Sequence, residues 1–155
     1  MIRDEILRVA ASQKGVKEKP AGSNNTDYGL WFGLNGVPWC GIFVSWVYAH
    51  AGFAIGTVDF LKGYASVPFA YKFWQKKGKL TKDPKPGDIC LFDWNFDKVG
   101  DHTGIFVDWV EKGKSFHTWE GNTSLGSDSN GGQVQYRLRY ISQVLSFVNL
   151  IDLPQ

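Results

Sequence analysis

The sequence predicts an α+β domain in which N-terminal helices pack on an antiparallel β-sheet. Three observations predict it. Up to about residue 78, apolar side chains recur at helical spacing or in one helix-length run. From Pro84 onward they come in short β-type runs parted by turn residues. No internal repeat, linker or low-complexity tract interrupts the 155 residues, so residues 1–155 read as one domain with one core.

Each element follows from local chemistry. Ile2, Ile6, Val9 and Ala10 share one face of a helix over residues 2–13, which Gly15 stops. Residues 17–37 are rich in Gly, Asn, Lys and Pro and read as loop, with a short helix near residues 28–32. Residues 39–52 are apolar on almost every side, which predicts a helix buried on most sides and ended by Gly52. Ser66 suits an N-cap and Pro68 a first turn, so a third helix runs over 66–75, with Gly78 after its end. Residues 84–88, Pro-Lys-Pro-Gly-Asp, form a turn. Strands are predicted at 89–94, 102–110, 115–120, 134–140 and 145–151, and residues 121–132 read as a long hairpin loop.

Composition excludes several functions. A 43% hydrophobic and 15% aromatic chain can bury a core and is not a disordered one. A net charge of +2 lacks the dense basic stripe of a nucleic-acid binder. The lysines at 76, 77, 79, 82 and 85 read as a solvated loop after a helix. Nothing approaches the roughly 18 uninterrupted apolar residues that span a bilayer, so no membrane insertion is expected. Residues 1–6 show no basic region leading into a long apolar stretch, so no secretory signal is read. Seven tryptophans exceed what a core this small needs and suit a groove for sugars or peptides.

Chemistry concentrates at Cys40, in Pro38-Trp39-Cys40-Gly41-Ile42-Phe43. A cysteine in the first turn of a helix meets unsatisfied N–H groups and the positive end of the helix dipole, and both favour the nucleophilic thiolate. Cys90, inside the apolar run 89–92, reads as a small buried hydrophobe, and both thiols are expected free. Of the three histidines, His50 falls near a helix end, while His102 opens a strand beside the Gly100-Asp101 turn and ranks first as base, ahead of His117. Strand alternation puts Thr118, Glu120 and Asn122 on one face and His117, Trp119 and Gly121 on the other. Taken alone, Glu120 reads as an ordinary strand carboxylate. Taken with the others, the order Cys, His, orienting polar group is that of a papain-like cysteine hydrolase.

Four stretches in order resemble the CHAP family of cysteine- and histidine-dependent amidohydrolases and peptidases of bacterial cell walls and phage lysins. They are Val37-Pro38-Trp39-Cys40-Gly41-Ile42-Phe43-Val44-Ser45-Trp46, Pro86-Gly87-Asp88-Ile89, Asp101-His102-Thr103-Gly104-Ile105-Phe106 and Trp119-Glu120-Gly121-Asn122-Thr123. The resemblance implies a papain-like α+β fold, Cys40 as nucleophile, His102 as base, Glu120 to orient the imidazole and Asn122 as a further polar member of the site. It also implies peptidoglycan as the partner and cleavage of one amide bond, either between glycan and L-alanine or within the stem or cross-bridge. A non-catalytic wall-binding module and an acyl transferase are the other uses of such a scaffold. The Cys40 N–H is the expected oxyanion donor, with Tyr28 and Asn35 as candidates for a second. Trp39, with Tyr28, is expected to line the substrate groove, Trp94 less so, and Trp46 is assigned to the core. Some relatives hold calcium before the cysteine, but Asn24-Asn25-Thr26-Asp27-Tyr28 has one carboxylate, so no metal or other cofactor is expected. The sequence reads as a monomeric phage lysin, held in the host cytoplasm until a separate pore releases it to the wall, or else as an extracellular wall enzyme.

Overall fold

The computed structural model describes residues 1–125 and 131–153. Helix ends follow their caps. α1 (Ile2–Ser12) carries Asp4 and Glu5 in its first turn, where the helix dipole favours carboxylates, and buries Ile6, Val9 and Ala10. α2 (Asp27–Phe32) starts at Thr26, whose hydroxyl accepts from the Gly29 N–H at 3.0 Å, and stops at Gly33 with φ 92°. α3 (Cys40–His50) is buried on most sides, as its continuous apolar run requires. α4 (Val67–Lys76) is capped by the Ser66 hydroxyl, with Pro68 in its first turn.

Six strands form one antiparallel sheet: β1 (Leu80–Thr81), β2 (Ile89–Phe92), β3 (His102–Glu111), β4 (Ser115–Thr123), β5 (Gln133–Tyr140) and β6 (Val144–Val148). Their order is β1-β6-β2-β3-β4-β5, and every pairing is antiparallel. The architecture is the α+β arrangement the sequence predicts.

Both faces of the sheet are covered, and β2 shows it. All four of its residues are buried. Ile89 and Leu91 join the core under the helices, with Ile42, Phe43 and Val47 of α3. Cys90 and Phe92 alternate to the other face and join Phe106, Phe116 and Phe147. Burying a ring such as Phe43 contributes on the order of 2 kcal/mol. Cys40 and Cys90 are both free and buried.

Two contacts set α3 against the sheet. Tyr48 donates to the Gly87 carbonyl at 2.5 Å, fastening the helix to the Pro86-Gly87-Asp88 turn. A Cβ on Gly121 would stand 2.6 Å from the Phe43 Cβ, so only glycine lets α3 approach β4 this closely. Arg3 holds the same turn from α1, bonding the Pro86 carbonyl at 2.8 Å and Asp88 at 2.9 Å.

Three expectations change. β1 is too short to show any period, and it forms because β6 offers Val148 and Phe147 as partners. Lys79 is not solvated: it is 3% exposed and its Nζ donates to the Leu153 carbonyl at 2.9 Å. The loop expected over 121–132 is in part strand, since β4 continues to Thr123 and β5 begins at Gln133, while 126–130 lie outside the described residues. Among the described residues, no helix is long and apolar enough to cross a membrane.

Candidate active site

Cys40 opens α3 and is 7% exposed. Trp39, at the N-cap, makes no side-chain cap, so it does not compete for the first-turn N–H groups beside the thiol. His102 opens β3, paired with Phe92 of β2, and its ring lies 6.0 Å from Phe92 and 5.7 Å from Trp94. Glu120 lies on β4 and is fully buried. Its Oε1 is 2.9 Å from His102 Nε2. Cys40 acts on the same ring, and its charge is the largest influence that raises the His102 pKa. Elements distant in sequence therefore assemble the order thiol, imidazole, carboxylate.

The neighbours of Glu120 explain how a buried carboxylate is tolerated. Thr118 donates to its Oε2 at 2.5 Å. Arg139 of β5, 2% exposed, donates from Nε to Oε2 at 2.7 Å and from Nη2 to Oε1 at 2.6 Å. The guanidinium lies over the Trp94 ring at 4.9 Å and the Phe92 ring at 5.6 Å. Beneath the carboxylate, a Cβ on Gly104 would stand 2.7 Å from Glu120 Cγ, so that strand position must be bare.

These contacts set the charges. Burial by itself would raise the Glu120 pKa, but the Arg139 and His102 hydrogen bonds and charges outweigh it and bring it to about 2. Burial by itself would lower the His102 pKa. The charge and hydrogen bond of Cys40, then those of Glu120, outweigh it and raise it to about 9. Both neighbours favour the imidazolium over the neutral ring.

The structure brings Cys40, His102 and Glu120 together, Asn122 stands two residues beyond Glu120 on β4, and Trp39 and Tyr28 are buried. Asn122 has φ 56° at a bulge, its Oδ1 accepts from the Gly132 N–H at 3.1 Å and its carbonyl from the Gly131 N–H at 3.0 Å. Asn122 thus holds the end of β4 to the start of β5, and strand alternation does not carry through it. Trp39 and Tyr28 do not line a groove. They are 0% and 2% exposed and stack on each other at 5.6 Å. Trp39 Nε1 donates to Glu18 at 3.0 Å, and the Tyr28 hydroxyl donates to Gln13 at 2.8 Å. Both rings belong to the core under the helices. Asn35 accepts from the Thr26 N–H at 3.0 Å. His117 pairs with Asp108 at 2.8 Å on the face away from Glu120, as alternation predicted.

Sequence reading missed Arg139, and it placed Thr118 on the Glu120 face without giving it a role. On β5 the hydropathy is inverted, since Leu138 is 45% exposed and Arg139 is 2% exposed. That inversion is invisible until the partner of Arg139 is known. An open groove of about 470 Å³ between the 15–19 segment and α2 is lined by none of Cys40, His102 and Glu120.

The four motifs now have a geometry, and a family model, the CHAP domain, matches residues 33–122. The chain belongs to the CHAP family. The match spans more than half of the chain, from the loop before α3 to the end of β4. CHAP domains are generally hydrolases of the cysteine-peptidase type, in a family of peptidoglycan-related amidases and peptidases. No curated protein matches the chain. Arg139 lies outside the CHAP match, beyond its last residue.

Among the described residues, one carboxylate cluster has the spacing of a cation site. Asp93, Asp97 and Asp101, in the loop before His102, bring their oxygens within 4.8 Å of one another. These carboxylates already accept backbone N–H groups: Asp93 from Asp97 and Lys98, Asp97 from Val99, and Asp101 from Trp94. Asp27, the one acid of the loop weighed for calcium, lies instead in the first turn of α2.

Proposed function

We propose that this CHAP domain hydrolyses one amide bond of peptidoglycan through a cysteine thioester, as a lysin acts. The observation that supports it most is the buried chain from Cys40 to His102 to Glu120, with 2.9 Å between His102 Nε2 and Glu120 Oε1. In this reading the Cys40 thiolate attacks the amide carbonyl, and the oxyanion is met by the Cys40 N–H at the start of α3. His102, held protonated, gives its proton to the leaving amine. It then takes a proton from the water that hydrolyses the thioester, which regenerates Cys40 and frees a carboxylate. Glu120 keeps the ring oriented through both transfers. Asn122 joins the proposal as the residue that shapes the end of β4. Trp94, partly exposed and beside His102, takes the place of Trp39 as the groove wall. Nucleophile, acid–base group and orienting carboxylate all come from the chain, so the chemistry proposed uses no cofactor and one copy of the chain suffices. A phage origin, with release to the wall through a separate pore, belongs to the same proposal.

The bond is identified by digesting purified peptidoglycans of differing cross-bridge and reading the fragments by mass spectrometry. Release of intact stem peptides from glycan identifies an amidase. Cuts within the stem or bridge identify an endopeptidase. Intact walls throughout overturn the proposal and favour a binding module.

Two further results are expected. His102 must be protonated to serve the leaving amine, and its pKa is raised from the ordinary 6.5 to about 9. Turnover should therefore fall on an alkaline limb near pH 9, and a limb near 6.5 would count against this pairing. The linked stability contribution has the same sign. It is fully present below 6.5 and is lost as pH rises through about 9. Glu120→Ala should leave the Cys40–His102 pair present but unoriented and lower turnover by about 10²–10⁴-fold, a range anchored on loss of acid–base function. Turnover within about twofold of wild type would remove Glu120 from the mechanism.

A further inference from the structure

We propose that Arg139 is a positioning residue of this site: its guanidinium fork holds the Glu120 carboxylate as an anion in one orientation, with a single oxygen aimed at His102. This deepens the cysteine-hydrolase reading and rests on it.

The geometry carries the argument. Arg139 stands opposite Phe116 in the β4–β5 register, four residues along β4 from Glu120, yet it reaches both oxygens of that carboxylate. Such a reach orders a long side chain, and the rings of Trp94 and Phe92 over the guanidinium hold it. Two oxygens gripped by a planar fork cannot rotate, and a lysine ammonium cannot grip them so. A buried carboxylate without a cation takes up a proton, and as a neutral acid it no longer holds an imidazolium. Arg139 prevents that and leaves Oε1 free to meet His102 Nε2 as well.

Among the described residues, the titratable or charged groups around Glu120 come from three strands and one helix. His102 comes from β3, Arg139 from β5 and the Cys90 thiol from β2, while Cys40 of α3 acts from beyond His102. Among them, Arg139 bears a charge that does not change with pH in the working range. A plug that merely filled the core would leave the pH behaviour of the site untouched, and this distinguishes the two roles.

The test is alkylation of Cys40 by iodoacetamide across pH, with the label located by mass spectrometry so that Cys90 is counted separately. Wild type is compared with Arg139→Lys, Arg139→Met, Glu120→Gln and the double variant Glu120→Gln/Arg139→Met, each checked by thermal melting. In wild type Glu120 stays an anion throughout, because its pKa is about 2. Arg139→Met removes the first-named influence that lowers the Glu120 pKa and leaves His102 to oppose burial, so Glu120 should titrate within the measured range. Alkylation at about pH 5 should be at least about tenfold slower than wild type, the size of one pKa unit, and the gap should narrow toward about pH 8. Arg139→Lys keeps the charge and should restore the acid limb. The double variant should match Glu120→Gln, because the proposed action of Arg139 on the site passes through that carboxylate.

A profile for Arg139→Met parallel to wild type overturns the proposal. So does a double variant slower than Glu120→Gln by the same factor that separates Arg139→Met from wild type. If Arg139→Met does not fold, Arg139→Lys and the double variant, in which both charges are removed together, decide it. Alkylation needs no wall. A wild type that shows this pH pattern but leaves every peptidoglycan intact refutes the hydrolase reading and keeps the role of Arg139.

Discussion

Cys40→Ala is expected to abolish release of peptidoglycan fragments while the domain stays folded. The thiol is the sole nucleophile in the proposed thioester route, and removal of a covalent nucleophile lowers turnover by about 10⁴-fold or more. The structural cost is small. Cys40 sits at the first position of α3, and alanine keeps the helix and removes only the sulfur. The loss should be about 1 kcal/mol of stability, in the range for small core truncations. The same variant removes the largest influence that raises the His102 pKa, so the ring should titrate below about 9 when followed by nuclear magnetic resonance. Wall digestion by Cys40→Ala at the wild-type rate would sink the mechanism. An inactive protein with an unchanged melt and a lowered His102 titration would carry it.

Gly104→Ala is expected to lower stability and turnover together. A Cβ there would stand 2.7 Å from Glu120 Cγ and 2.9 Å from the Trp119 carbonyl oxygen. The first contact is with the stem of a side chain pinned by Arg139 and Thr118, and the second is with backbone. Neither yields cheaply. Overpacking of this kind costs about 1–3 kcal/mol. A shift of Glu120 by about 1 Å would also misplace His102 and cost on the order of 10²-fold in turnover. Melting temperature and wall turnover, measured together, test both consequences. A variant that melts and cleaves like wild type would show that the carboxylate is not confined as described.

Much of the fold was legible because local rules govern it. Ser66 caps α4, Thr26 caps α2, and the unbroken apolar run of α3 announced a helix covered on nearly all sides. Alternation correctly separated His117 from Glu120, since β4 is regular through that stretch. At Asn122 the register shifts and φ is 56°, and no periodicity records a bulge in advance. Trp39 misled for a related reason. Adjacency to the nucleophile in sequence suggested a groove wall, yet the ring belongs to the core under the helices and the indole bonds Glu18.

By itself the sequence determined the α+β class, the place of Cys40 at a helix start and of His102 at a strand start, and the CHAP motifs in their order. Those depend on capping, periodicity and residue type, all of which act over a few residues. Only the tertiary structure decided that Glu120 is an anion gripped by Arg139, that Gly104 must be bare beneath it, and that Trp94 rather than Trp39 stands beside the imidazole. Each of these depends on a partner from another strand or loop. A buried charge, a close approach or a ring contact has no signature in either residue alone until the fold brings the two together.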